Sequence, residues 1–138
     1  MGNYYIEIII HGGNKMENID LLITLTQHED DANNVTIAFS MGVQALKKGY
    51  DVELLLLSNA VHLAKENYAD KIDIGAPFKP VYELIPEFIK EGGRLKVCSS
   101  CMKHNGVEED SLIDNAEIIT ADYVVDAIMA SKKSLQLN

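Results

Sequence analysis

Two stretches of this chain carry dense apolar runs, five apolar residues in each: 18–26 (Asn-Ile-Asp-Leu-Leu-Ile-Thr-Leu-Thr) and 51–57 (Asp-Val-Glu-Leu-Leu-Leu-Leu). Each has the length of a strand and is rich in Leu and β-branched residues. A strand with one wet face alternates apolar and polar residues. A dense apolar run instead needs cover on both faces, as in a parallel sheet packed between helices. No other feature limits the fold as strongly.

The segments between the runs read as helices. Residues 27–33 form a polar, acidic loop, and Asn33 or Asn34 is placed to cap a helix reaching about Lys48. Its apolar stripe is read as Ile37, Met41, Ala45 and Leu46, with Lys47, Lys48 and Gly49 as the stop. After the second strand, Ser58 or Asn59 is expected to cap a helix to about Asn67, followed by a loop over 71–77. A third helix is expected over 80–90, where Pro86 predicts a kink or a late start. Further along come a strand over 94–98, a short helix or turn over 108–113 and a short strand over 116–119. The last helix spans 120–131, capped by Thr120 with Val124, Val125 and Ile128 inward, and a final strand covers 134–137.

This alternation implies an α/β fold of three layers: a parallel or mostly parallel sheet of about five strands with helices on both faces. In such sheets chemistry gathers at the C-terminal ends of the strands. Segments 27–33, Ser58-Asn59, 98–101 and Thr120 leave that edge. The 138 residues fit one domain, placed over 16–138. Residues 1–15 read as an extension, either an edge strand over 4–10 or a non-native leader, since Gly12-Gly13 just upstream of Met16 could be a translated ribosome-binding sequence.

A net charge of −9 argues against a phosphate-binding face for nucleic acid and against a polybasic membrane anchor. No apolar run approaches the roughly 20 residues of a membrane span. Two cysteines are too few for a disulfide scaffold, and no signal peptide is visible, so a cytoplasmic location is expected.

Those two cysteines stand together as Cys98-Ser99-Ser100-Cys101, between the 94–98 strand and a helical turn ended by Gly106. Backbone N–H groups at a helix start favour the thiolate, the nucleophilic form of sulfur. Four readings compete: a thiol that carries sulfur as a persulfide, a dithiol redox pair, half a zinc site, and a pair of inert buried thiols. Zinc needs four ligands, and no second Cys pair exists, so no metal is expected. The redox reading calls for a long helix after the pair, which Gly106 cuts short. Lys103 and His104 are the nearest residues able to tune the thiols. His28, Glu29, Asp30 and Asp31 could line the same pocket from the first loop, or simply form a solvated acidic loop that caps the next helix.

The segment Val97-Cys98-Ser99-Ser100-Cys101-Met102-Lys103-His104-Asn105-Gly106-Val107 resembles the cysteine motif of the DsrE/DsrF-like family, where a strand ends in Cys and Gly follows eight positions later. Residues 28–39 resemble that family's first loop and helix, 49–61 its second strand and turn, and 131–137 its closing strand. The resemblance spans roughly 18–138. It implies a flavodoxin-like three-layer fold in oligomers, commonly trimers or hexamers. It also implies sulfur accepted as a cysteine persulfide and handed to a partner. Cys98 occupies the matching cysteine, and Cys101 is the second cysteine of the C-x-x-C seen in some members. Active relay members carry basic residues just before the glycine, where this chain has His104 and Asn105.

The expected function is therefore a small cytoplasmic sulfur carrier, with the persulfide on Cys98 and Cys101 as auxiliary or resolving thiol. Lys103 and His104 would tune the site, and His28, Asp30, Asp31, Ser58 and Asn59 would form pocket loops. The expected partners are sulfur donors and acceptors, either proteins or small sulfur compounds, and further copies of the chain. No cofactor is expected: a flavin phosphate would meet the acidic first loop. The alternatives are a non-catalytic oligomeric module of the same fold and a dithiol redox protein.

Overall fold

The computed structural model describes residues 16–138. The readings made for 1–15, as edge strand or leader, lie outside the described residues. Strands β1 (Leu21–Leu25), β2 (Val52–Leu56), β3 (Arg94–Cys98), β4 (Ala116–Ile119) and β5 (Lys133–Leu137) form one sheet in the order β4-β3-β2-β1-β5. Every pairing is parallel. Helices α1 (Ala32–Lys47), α2 (Val81–Lys90), α3 (Ser99–Asn105) and α4 (Ala121–Ala130) connect them, with short 3-10 turns at Glu29–Asp31, Ser58–Ala64, Tyr68–Lys71 and Glu109–Ser111.

Topology assigns the layers. From β1 to β4 each crossover steps one strand in the same direction. Right-handed crossovers then keep α1, α2 and α3 on one face. The β4-to-β5 connection returns across the whole sheet, which puts α4 on the other face. Burial agrees. Ile23, Leu25, Leu54, Leu56, Leu95 and Val97 pack with α1 and α2 in the main core, whereas Leu22 and Leu55 pack with Ala127, Tyr123 and Val124 of α4.

Helix α1 is capped by Asp31, whose Oδ1 accepts the Asn34 N–H at 3.1 Å, rather than by Asn33 or Asn34. Its buried residues are Val35, Thr36, Ala38, Phe39, Gly42 and Val43; of the stripe read from the sequence, Ala45 and Leu46 pack against the core, whereas Met41 is 51% exposed. The stripe is off at Ile37 and Met41, and the buried face includes Gly42, which hydropathy does not flag. Gly42 and Gly93 are needed because Phe88 lies against both: a Cβ would meet its ring at 2.8 Å and 2.5 Å respectively. Phe88 also meets Phe39 edge-on at 5.9 Å, which locks α2 to α1.

Residues 58–67 do not form the expected α-helix. Ser58 has φ +54°, whereas a helix N-cap needs extended backbone. A 3-10 segment follows that buries Ala60, Val61, Leu63 and Ala64. Pro86 neither delays nor divides α2, which starts at Val81. Its ring is on the exposed side of the helix, so the carbonyl that loses its partner faces water. On α4, Val124 packs inward as read, but Val125 is 58% exposed and Ile128 42%. Apolar residues occupy most positions of α4, so its sequence does not say which side faces the sheet.

Candidate functional site

Cys98 ends β3 and is the N-cap residue of α3; Cys101 is the third residue of that helix. Gly106 ends the helix at φ +69°, and the Val107 N–H reaches the Met102 carbonyl at 2.9 Å. Met102 and Val107 are both buried. The turn carrying the thiols is therefore anchored at both ends by apolar contacts.

Both thiols are free. Cys98 is 7% exposed and belongs to the main core cluster, while Cys101 is half-buried and packs against that cluster. The Cys98 thiol and the Ser58 backbone are the polar groups that act on the Cys101 thiol. Burial pushes the Cys101 thiol above its ordinary pKa. The Cys98 thiol adds to this, and the Ser58 backbone works against it. In the register of β3 with β4, Cys98 pairs with Ile119, and Lys96 pairs with Glu117. Lys96 precedes Cys98 by two residues, about 6.6 Å along the strand. It is 6% exposed and ion-paired with Glu117.

The turn after β2 forms the facing wall. Asn105 is one helical turn beyond Cys101, and its Nδ2 donates to the Cys101 carbonyl at 2.9 Å and the Ser58 carbonyl at 3.4 Å. The Asn105 side chain also acts on the His62 ring. Burial, reinforced by Lys65, lowers the His62 pKa, so this imidazole is neutral at pH 7. Its Nδ1 is buried and lacks a hydrogen-bond partner among the described residues. The His62 ring stacks on Tyr68 at 5.6 Å and approaches His28 at 5.8 Å. Burial, helped by Glu29, pushes the Tyr68 hydroxyl up to about 12.

The parallel topology thus brings the ends of three adjacent strands together, β1 with His28, β2 with Ser58 and β3 with both thiols. His28 reaches the group through His62. Asp30 and Asp31 serve the loop itself. Asp30 Oδ1 takes the His28 N–H at 2.9 Å and lies 2.6 Å from its Nδ1, which holds the Asp30 carboxyl below its usual pKa; Asp31 caps α1. Asn59, Lys103 and His104 are exposed, and Lys103 points about 200° around α3 from Cys101. Sequence reasoning missed Asn105 and His62 as site residues. The four-residue spacing of Cys101 and Asn105 was a usable signal, since such positions meet on a helix. The nearness of His62 depends on the irregular turn at Ser58 and had no such signal.

Among the described residues, no group of three or more His, Cys, Asp or Glu side chains could hold a metal ion. A groove of about 410 Å³ lies elsewhere, between α2 and the 3-10 segments, lined by Leu63, Ala69, Tyr82, Ile85, Ile89 and Ile113 among others. It contains neither thiol. No helix among the described residues is long and apolar enough to cross a membrane.

A three-layer α/β protein with a thiol pair at the C-terminal edge of a parallel sheet is the class that this fold and site define. The chain belongs to the DsrE/DsrF-like family, whose model matches residues 20–137. It is 34% identical over 85 residues to an uncharacterized protein of Methanocaldococcus jannaschii, covering 60% of this chain and 68% of that one. An uncharacterized protein of Methanopyrus kandleri is 25% identical over 118 residues, covering 83% of this chain and 92% of the relative. Among solved structures, the ychN protein from E. coli superposes with a TM-score of 0.66 at 19% identity, over 86% of this chain and 99% of that one. A protein of unknown function from Methanobacterium thermoautotrophicum gives 0.62 at 13% identity, over 85% and 99%. At these identities the two structures speak for the fold alone.

Proposed function

We propose that this protein carries sulfur as a cysteine persulfide on Cys98, with Cys101 as its auxiliary thiol. The observation that supports this best is a pair of free thiols on one anchored strand-to-helix turn, one at the strand end and one three residues on, the second half-buried beside the Ser58 turn. A thiolate attacks the outer sulfur of a donor persulfide, the donor thiolate leaves, and the protein keeps the sulfane sulfur. No net oxidation occurs, so neither cofactor nor metal takes part in that step. Cys101 can then attack the inner sulfur of a Cys98 persulfide, which expels hydrosulfide and leaves a Cys98–Cys101 disulfide. A small-molecule or protein dithiol would restore the pair.

The partners are sulfur donors and acceptors in a reducing, cytoplasmic setting. Further copies of the chain would join through α4, where Val125, Ile128 and Met129 form an exposed apolar strip. A second reading, a dithiol–disulfide redox couple, draws on the same thiol pair. Intact-mass analysis after incubation with a small persulfide separates the two. The carrier gains one sulfur atom, and Cys98→Ser loses stable loading. A redox couple gains no sulfur even in Cys101→Ser, where a Cys98 persulfide has no second thiol to discharge it and the carrier retains the added sulfur.

A further inference from the structure

The two thiols are not equivalent, and their difference has a direction. Cys98 is 7% exposed and lies against the apolar core, whereas Cys101 is the more open of the pair. Cys101 also has the built surroundings. Ser58 holds a left-handed backbone, φ +54°, which costs a non-glycine residue about 1 kcal/mol. Asn105 Nδ2 donates to both the Ser58 and the Cys101 carbonyls, which ties this turn to the Cys101 turn. Strain of this kind persists where the surroundings enforce it, and it gathers at functional positions. The wall beside it is the neutral His62 ring, whose Nδ1 has no partner among the described residues.

We infer that sulfur enters on Cys101 and moves inward to Cys98, so that the pair is a two-station relay with Cys101 as the receiving thiol and Cys98 as the sheltered store. This rests on the sulfur-carrier reading. With inorganic tetrasulfide as donor, the Cys101 thiolate attacks a terminal sulfur. One S–S bond of the donor breaks, trisulfide leaves, and Cys101 becomes a perthiolate. The Ser58 backbone beside it then favours the developing negative charge. After protonation of the outer sulfur, the Cys98 thiolate attacks it. The Cys101 thiolate leaves and takes up a proton, and the sulfane sulfur ends on Cys98. Atoms and charge balance at both steps, and no reductant or oxidant is consumed. The stored sulfur is thereby removed from solvent thiols, and it returns outward by the reverse step.

The test is a quenched-flow time course with inorganic tetrasulfide on the full chain. Alkylation traps each time point, and fragment-ion mass analysis places the sulfur on Cys98 or Cys101. In the unaltered protein, sulfur should appear first on Cys101 and then on Cys98. Cys101→Ser should slow loading of Cys98 by about tenfold or more, because the remaining thiol is nearly closed to solvent. Cys98→Ser should still load Cys101, and that sulfur should be stripped quickly by added glutathione. Sulfur first on Cys98, or Cys98 loading at an unchanged rate in Cys101→Ser, overturns the relay and leaves the carrier reading standing. No sulfur on either residue of the unaltered protein overturns both. The unaltered time course decides the order even if a variant folds poorly.

Discussion

The two faces of the sheet are built on different principles. The face under α1 and α2 is closed and apolar: Phe39, Phe88, Leu54, Leu56, Ile23 and Leu25 are fully buried. The face under α4 has, among the described residues, one helix, and it buries charge. Glu53 is fully buried, takes the Tyr123 hydroxyl at 2.8 Å on both carboxylate oxygens, and pairs with Arg94 Nε at 2.9 Å. Lys96 sits beside it, bound to Glu117 and 5.2 Å from the Tyr123 ring centre. Stability is therefore concentrated in close apolar contact on the first face and in partner geometry on the second. The thiols lie at the edge where both faces end.

The largest effect should come from the apolar face. Phe88→Ala removes the ring wedged among Phe39, Gly42 and Gly93, and it should cost about 3–5 kcal/mol in urea unfolding. A loss under about 1 kcal/mol would mean this face is not the stabilising one. On the other face, Arg94→Met leaves the Glu53 carboxylate buried with only Tyr123 to answer it. That should cost about 3 kcal/mol. A neutral result would show that the carboxylate is solvated in a way its burial does not suggest.

At the shared edge the effects shrink. Ser58→Gly relieves the left-handed backbone and should be neutral or stabilising by up to about 1 kcal/mol, while Ser58→Val should destabilise. Thermal melts of the two variants check the sign. The smallest effect is pH-dependent. The folded pKa of His62 lies below its ordinary 6.5 because burial disfavours the charged ring, with Lys65 and His28 adding to that and Asn105 and Glu29 opposing it. The folded state then binds fewer protons than the unfolded chain. Its contribution is complete above about pH 6.5 and declines as the pH falls below that value. His62→Gln should flatten this slope between about pH 7 and 5.5. The lowered Asp30 and Glu29 carboxyls act in a separate window, where their contribution is lost on acidification below about pH 4.

The same contrast explains what could be read from the chain. Strands β1 and β2 were legible because burial on both faces writes itself as a dense apolar run, broken only by Thr24 in β1 and Glu53 in β2. The end of α3 was legible because Gly106 marks it. The inner side of α4 was not, since Tyr123, Val124, Val125, Ala127, Ile128 and Met129 are all apolar or aromatic and only contact with Leu22 and Leu55 chooses among them. The α1 stripe was partly misread for a related reason: Gly42 belongs to the buried face for want of a side chain, to admit Phe88. At the site, the cysteines and Ser58 were found through their place at the strand ends. His62 was not, because its approach depends on the positive φ of a serine. The burial of Lys96 was not legible either, because a lysine inside a strand reads as exposed until its partner on β4 is known.

The central claim is that this thiol pair takes up and holds one sulfur atom. Intact mass of the reduced protein after brief exposure to a small persulfide, beside a Cys98→Ser/Cys101→Ser double variant, measures it directly. The account predicts a gain of one sulfur in the native chain and none in the double variant. An unchanged mass, with both thiols still free to alkylation, would contradict it.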